Sequence, residues 1–246
     1  MNARRATATP VTSLILTAIA LAVACLAVRT LIQFAANADL LDLAAAIEKG
    51  AQPDAAYLAR YVASAAPDGG SIGCSDPVTR ASLTVNLAGL EAATNALDTT
   101  LIDAAERNAR RAAERRLACN PLDGNAWLRY AIVLTRANGP VASALGALRV
   151  SYWAAPSENW VIEPRLAFAT NLYLAGVESV SSEYLNDLSR YVLFEPTGRV
   201  AAVYIAAPGQ LRAALRRLID AQAEARRRAV MAEIDRLGDD EERQRQ

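Results

Sequence analysis

The feature that most constrains this chain is a stretch, residues 120–156, that is typical of two helices closed at both ends by proline. Apolar side chains recur in its first half at three- and four-residue steps, the spacing of one helix face: Trp127, Tyr130, Ala131, Leu134 and Ala137. Gly139 and Pro140 end this helix, because glycine accepts a positive φ and proline fits only the first turn of a following helix. The stretch therefore predicts a helical hairpin.

The second helix of the hairpin covers residues 141–153 and presents an apolar face that includes Ala144, Leu148 and Tyr152. The hairpin resembles the tetratricopeptide repeat, which has an early tryptophan, small residues at the helix contact, a glycine turn and a final proline. The match is direct for the first helix and needs one inserted residue for the second: Trp127, Ala131, Leu134, then Gly139, Ala144, Leu148, Ser151 and Pro156.

A weaker second copy of this hairpin spans residues 160–196, with Pro164 where the family has a small residue. The resemblance covers about a third of the chain and implies a solenoid of stacked antiparallel helical hairpins. A helical bundle of another kind is the alternative.

An uncharged apolar run, residues 11–28, follows a short basic segment at the amino terminus. About 18 helical residues span roughly 27 Å, close to the hydrocarbon thickness of a bilayer, so we expect one transmembrane helix. Cleavage as a signal peptide is the alternative, and residues 22–25 approximate a lipoprotein processing site. Because the apolar character continues past Cys25, we favour an uncleaved anchor.

The charges that flank the span predict its orientation. Arg4, Arg5 and the terminal amine precede it, whereas Arg29 stands alone behind it. We expect a cytoplasmic amino terminus (1–10) and a body outside the cytoplasm, which in a Gram-negative bacterium is the periplasmic side of the inner membrane.

The rest of the chain predicts an all-α fold, because no stretch sustains the period-two alternation of a strand. We expect membrane-proximal helices in residues 29–76, a helical-hairpin repeat domain in residues 77–207 and a charged C-terminal helix with a tail in residues 208–246. A long helix is predicted over residues 210–237.

Two of the three cysteines are expected to pair. Cys74 lies just before the predicted helix 78–97, and Cys119 ends the helix 101–118 that would pair with it in an antiparallel hairpin. The start of one helix then lies beside the end of the other, so an oxidising compartment would join the two thiols. Two unrelated buried cysteines are the alternative.

The composition excludes several kinds of active site. Without histidine there is no Ser-His-Asp triad, no Cys-His pair and no histidine-bound zinc. No glycine-rich loop with a lysine resembles a phosphate cradle, and no pair of carboxylates stands out for acid/base catalysis. We therefore predict no enzyme, no cofactor and no metal.

Three arginines at four-residue steps, Arg107, Arg111 and Arg115, form a basic stripe that can meet phosphates, acidic glycans or an acidic protein surface. A solvated face paired with nearby carboxylates is the alternative. Nucleic acid is not expected as a partner, because the net charge is zero. Aromatic side chains are the other candidates for partner binding: Tyr130, Tyr152, Trp153 and Trp160.

The sequence thus favours a membrane-anchored, non-enzymatic scaffold that binds a partner protein in the groove between hairpins. The resemblance implies a role in envelope or polysaccharide assembly, as for other helical-repeat proteins with one anchor. The alternative is an accessory subunit of a larger membrane complex, packed through a face of small residues in its span: Ser13, Thr17, Ala20 and Ala24.

Overall fold

The computed structural model describes residues 10–65, 74–136, 139–177 and 182–244. Within these ranges the chain is all-helical and has no strand, which confirms the predicted fold class. The predicted cytoplasmic segment lies outside the described residues except for Pro10, and the predicted turn at residues 67–70 lies outside them too. The chain divides into two compact units, which we call unit 1 (Met1–Pro121) and unit 2 (Leu122–Gln246). This boundary falls inside the single repeat domain that the sequence predicts.

Unit 1 begins with helix α1, which contains the predicted span and continues beyond it. Within α1, residues Ser13–Ala36 are long and apolar enough to cross a membrane, and no residue of the most apolar stretch in this segment is buried. The helix continues through Arg29, since arginine is a good helix former, and its long aliphatic stem can carry the charge toward a membrane surface. The described part of unit 1 forms α1 (Pro10–Ala36), α2 (Ala38–Glu48), α3 (Ala55–Ala65), α4 (Asp76–Asn95) and α5 (Thr99–Cys119).

The core of unit 1 forms where α2 and α3 pack on α4. Leu40, Leu58 and Val85, one from each helix, are buried together there. The long helix α5 packs along α4 as the predicted hairpin. The Asp98 carboxylate caps α5 by accepting the amide hydrogens of Thr100 and Leu101. It also accepts a hydrogen bond from the Thr100 hydroxyl, which is the main reason why the pKa of Asp98 is lowered, with the amide of Leu101 contributing next.

The disulfide expected from the hairpin is present. Cys74 and Cys119 are bonded, with their Cα atoms 5.1 Å apart. Arg116 lies one turn before Cys119, and its buried guanidinium donates hydrogen bonds to Asp76 and to the Thr79 hydroxyl in the first turn of α4. The start of α4 and the end of α5 are therefore joined by a covalent bond and by an ion pair.

Unit 2 opens with the two-helix unit that the sequence analysis singles out. Asp123 caps α6 by accepting the amide hydrogen of Ala126, as its position predicts. Gly124 lies very close to the end of α7. A Cβ atom at position 124 would lie 2.4 Å from the Cβ of Ala155, so only glycine fits at this position. The helices of the described part are α6 (Gly124–Arg136), α7 (Val141–Ala154), α8 (Asn159–Leu174), α9 (Ser182–Phe194), α10 (Thr197–Ala206), α11 (Gly209–Asp220) and α12 (Glu224–Gln244).

The single long helix predicted over residues 210–237 is wrong, because the chain turns between Asp220 and Glu224 to give α11 and α12. The turn allows both apolar stripes to be buried: α11 packs on α9 through Leu211 and Leu215, and α12 packs on α10 through Val230 and Ile234. Both helices of the charged C-terminal segment are thus packed on other helices of unit 2.

We predict that removing the disulfide destabilises unit 1. The bond closes a loop of 45 residues, for which the chain-entropy model gives about 4 kcal/mol of stabilisation. The Cys74→Ser/Cys119→Ser variant should unfold at a lower urea concentration than the oxidised wild type, as measured by circular dichroism of the full chain in detergent. Cys25→Ser is the matched control and should change nothing, because Cys25 is exposed on α1 and bonded to no other cysteine. Equal midpoints for the oxidised and the disulfide-free chain would contradict the prediction.

Candidate functional site

The most strongly constrained group of polar side chains surrounds Arg165 on α8. Its guanidinium is fully buried and donates hydrogen bonds to both carboxylate oxygens of Asp187 on α9, at 2.6 and 2.9 Å. It also donates to the Ser151 carbonyl at 2.8 Å, to the Ser151 hydroxyl at 3.4 Å and to the Ala155 carbonyl at 3.1 Å. All five N–H donors of the guanidinium are thereby used, and its charge lies at the carbonyl end of α7, where a cation is favoured.

Tyr152 completes this group. Its ring lies against the Arg165 guanidinium, 4.4 Å from the ring centroid, and its hydroxyl is buried without a hydrogen-bond partner among the described residues. Burial and the nearby Asp187 raise the pKa of the Tyr152 phenol. Burial also raises the pKa of Asp187, although the hydrogen bonds and charge of Arg165 act in the opposite direction. Tyr152 is 8 % exposed, so its predicted place on an exposed partner surface is corrected.

This cluster, Arg165, Asp187, Ser151 and Tyr152, supports the fold of unit 2, because its polar atoms are shielded from solvent. A substrate has no access to them. Sequence reasoning missed the cluster, although a signal exists: Arg165 interrupts an apolar stripe whose other members are Val161, Ala169 and Leu172. A charge on the buried face of a helix requires a buried partner.

The predicted basic stripe on α5 is exposed. Arg107, Arg111 and Arg115 lie on the outer face of the helix, and within the described chain none of the three forms an ion pair. Arg111 donates a hydrogen bond to the Asn108 side chain at 2.6 Å. Salt bridges to neighbouring carboxylates, the alternative that the sequence leaves open, are thus not formed by these three side chains. Arg116, by contrast, is buried and belongs to the contact with α4.

Exposed aromatic rings collect at one end of unit 2. Trp153, at the end of α7, is 72 % exposed, Trp160, in the first turn of α8, is 57 % exposed, and Phe194, at the end of α9, is 63 % exposed. Trp127 and Tyr130 instead pack edge to face on α6, partly buried against the core. The two exposed tryptophans are among the predicted partner residues, whereas Phe194 was not predicted, because a ring at the end of an amphipathic helix has the same pattern as a core residue.

Two further arginines, both in the predicted charged C-terminal segment, bind helix ends in unit 2. Arg226 on α12 donates to the carbonyls of Val192 and Glu195 at the end of α9. Arg212 on α11 donates to the carbonyls of Tyr204 and Ile205 at the end of α10. Arg165 on α8 binds the end of α7 in the same way. The helices α7, α9 and α10 therefore each end at a guanidinium from a later helix, which provides donors for carbonyls that have no partner within their own helix.

Other features of a reactive site are not found within the described ranges. No group of three or more cysteine, aspartate or glutamate side chains there has a geometry that can hold a metal ion. A groove of about 440 Å³ lies on α1, against Ala24, Cys25, Val28, Arg29 and Ile32. Its lining is almost entirely apolar, as expected for the surface of a candidate span.

Comparison of the chain with family models, with curated proteins and with solved structures gives no match. The interpretation of its surfaces therefore depends on their geometry and charge.

We predict that the Arg165–Asp187 pair is strongly coupled. Arg165→Met leaves a buried carboxylate without its partner and should lower the free energy of unfolding by about 3–5 kcal/mol. The double variant Arg165→Met/Asp187→Leu removes both charges and should lose less than Arg165→Met alone. Urea unfolding followed by circular dichroism measures the three values.

Arg216→Met is the matched control for this prediction, because the Arg216–Asp220 pair is exposed on α11. It should leave the midpoint almost unchanged. A double variant that is no more stable than Arg165→Met would show that the ion pair is not the source of the loss.

Proposed function

We propose that this protein is a membrane-anchored, non-enzymatic scaffold that holds a partner protein at a membrane surface. The candidate span in α1 supports the anchor. The orientation proposed from the flanking arginines places both units on the periplasmic side of a bacterial inner membrane, and the disulfide fits such an oxidising compartment.

The observation that carries the proposal is the exposed arginine stripe on α5, formed by Arg107, Arg111 and Arg115. Three guanidinium groups on one helix face, none of them in an ion pair with another described residue, create a local positive potential, which suits an acidic protein surface. The helix that displays them is held rigidly, since the disulfide and the Arg116–Asp76 pair fix its end to α4. A rigid display reduces the conformational entropy lost on binding.

The helical hairpins of unit 2 supply a second element of the proposed scaffold. The helix α6 packs on α7 and also on α8, and α8 packs on α9. This order of contacts supports a tetratricopeptide-like stack, in which the first helix of one repeat touches its own partner and the first helix of the next repeat. We propose that such a stack presents partly exposed aromatic side chains, including Tyr130, to a protein partner.

A second candidate is an accessory subunit of a larger membrane complex. It is favoured by the surface of α1, on which the groove against Ala24 and Arg29 adjoins the face of small residues at Ser13, Thr17 and Ala20. Helices in membranes associate through such faces, because small residues allow close backbone approach. Exchange of the span for an unrelated one distinguishes the candidates: the subunit would lose its complex, whereas the scaffold would keep its partner.

We predict that the partner contact requires the stripe. A photoreactive amino acid at Ala118, exposed on α5 beyond Arg115, should give an adduct of constant mass in native membranes. Arg107→Gln/Arg111→Gln/Arg115→Gln should lower its yield about tenfold, and added salt should lower the wild-type yield as well, because the attraction is electrostatic.

The control Arg216→Gln/Arg228→Gln/Arg236→Gln removes the same charge from arginines paired within their own helices. It should leave the adduct unchanged. An adduct that persists at full yield in the stripe variant, or that forms equally at high salt, would contradict the proposed surface.

A further inference from the structure

The exposed rings of Trp153, Trp160 and Phe194 lie on helix ends that polar contacts bring together. Arg190, one turn before Phe194, donates a hydrogen bond to the Ser157 hydroxyl, three residues before Trp160. The end of α9 is therefore attached to the loop between α7 and α8. The exposed rings thus belong to neighbouring segments of unit 2.

A second set of contacts joins the same segments from α10. The Arg199 guanidinium donates to Glu163, one turn after Trp160, and also to Glu195, which follows Phe194. Leu193 beside Phe194 is exposed as well. We call this group, Trp153, Trp160, Leu193 and Phe194, the aromatic end of unit 2.

Charged side chains of both signs border these rings: Arg199 pairs with Glu163 and Glu195, whereas Arg149 is exposed. Arg149 lies one helical turn before Trp153 on the exposed face of α7, and it forms no ion pair within the described chain. Tryptophan and arginine beside exposed leucine and phenylalanine are the side chains that settle at the boundary between lipid headgroups and acyl chains. The indole ring suits that boundary because it combines a large apolar body with one N–H donor.

We propose that the aromatic end of unit 2 inserts into the interface of a lipid bilayer, with Arg149 beside the headgroup phosphates. The proposal rests on the membrane anchor of the proposed function, because α1 keeps the rings within reach of a bilayer and so raises their effective concentration at its surface. The exposed charge of Arg149 complements anionic headgroups. Unit 2 is then attached at a second point besides the anchor.

The test uses the full chain reconstituted in vesicles of phosphatidylcholine and phosphatidylglycerol, with and without bromine on the acyl chains. Bromine quenches only those tryptophans that enter the bilayer, and α1 contains no tryptophan. In Trp127→Phe, which retains Trp153 and Trp160, brominated lipid should lower the emission by about half. The matched variant Trp153→Phe/Trp160→Phe retains Trp127 alone and should lose less than about a tenth.

The wild-type chain gives a second measurement in case Trp127→Phe fails to fold, since its quenching should exceed that of Trp153→Phe/Trp160→Phe. An alkaline wash of the vesicles tests the anchor separately. Retention after the wash without quenching would overturn the aromatic end alone. If the protein is quenched before the wash but is then removed from the vesicles by it, the anchor alone is overturned. If the protein is neither quenched nor retained, the anchor and the aromatic end are both overturned.

Acrylamide, a quencher that stays in the water phase, shows whether the aromatic end is covered by something other than lipid. If lipid does not quench Trp153 and Trp160 but acrylamide does, the rings are free in water and the proposal is wrong. If neither quenches them, a second copy of the chain covers them, which also overturns it.

Discussion

The arrangement of α7, α8 and α9 depends on one buried guanidinium. Arg165 reaches from α8 to the Asp187 carboxylate on α9 and to the last carbonyls of α7, so a single side chain fixes the relative positions of three helices. An arginine in this position is tolerated only because every donor is used, since an unmatched buried charge costs several kcal/mol. Gly124 adds α6 to the same point by allowing its first turn to touch Ala155. The rings of Trp153 and Trp160 are displayed on the helix ends that this cluster holds.

In unit 1 the relative positions of two helices are fixed by a covalent bond instead. The disulfide between Cys74 and Cys119 joins the start of α4 to the end of α5, and Arg116 adds charged hydrogen bonds at the same place. Arginine thus has two roles in this protein. Buried guanidinium groups bind carboxylates and helix-end carbonyls, whereas Arg107, Arg111, Arg115 and Arg149 lie exposed without an ion pair within the described chain. The proposed contacts with an acidic protein and with lipid phosphates use the second kind, and the first kind makes the supporting helices rigid.

Local chemistry allowed much of this fold to be predicted. The apolar run and the helix that follows Pro140 depend on neighbouring residues, so periodicity and turn chemistry suffice for them. The disulfide followed from the antiparallel hairpin. The apolar stripe of α8 indicates that Arg165 turns inward, but its partner Asp187 lies 22 residues away and no local pattern identifies it. The break between α11 and α12 was missed for a related reason: no glycine or proline marks it, and the burial of two apolar stripes on different helices determines it.

Thiol labelling in intact cells tests most directly the claim of an anchored protein whose body lies in an oxidising compartment. The experiment uses Cys25→Ser, so that Cys74 and Cys119 alone can react, and compares a membrane-impermeant with a membrane-permeant maleimide. We predict no labelling before reduction and labelling of both cysteines by the impermeant reagent after it. Labelling without reductant would contradict the disulfide, and labelling that needs the permeant reagent would contradict the proposed orientation.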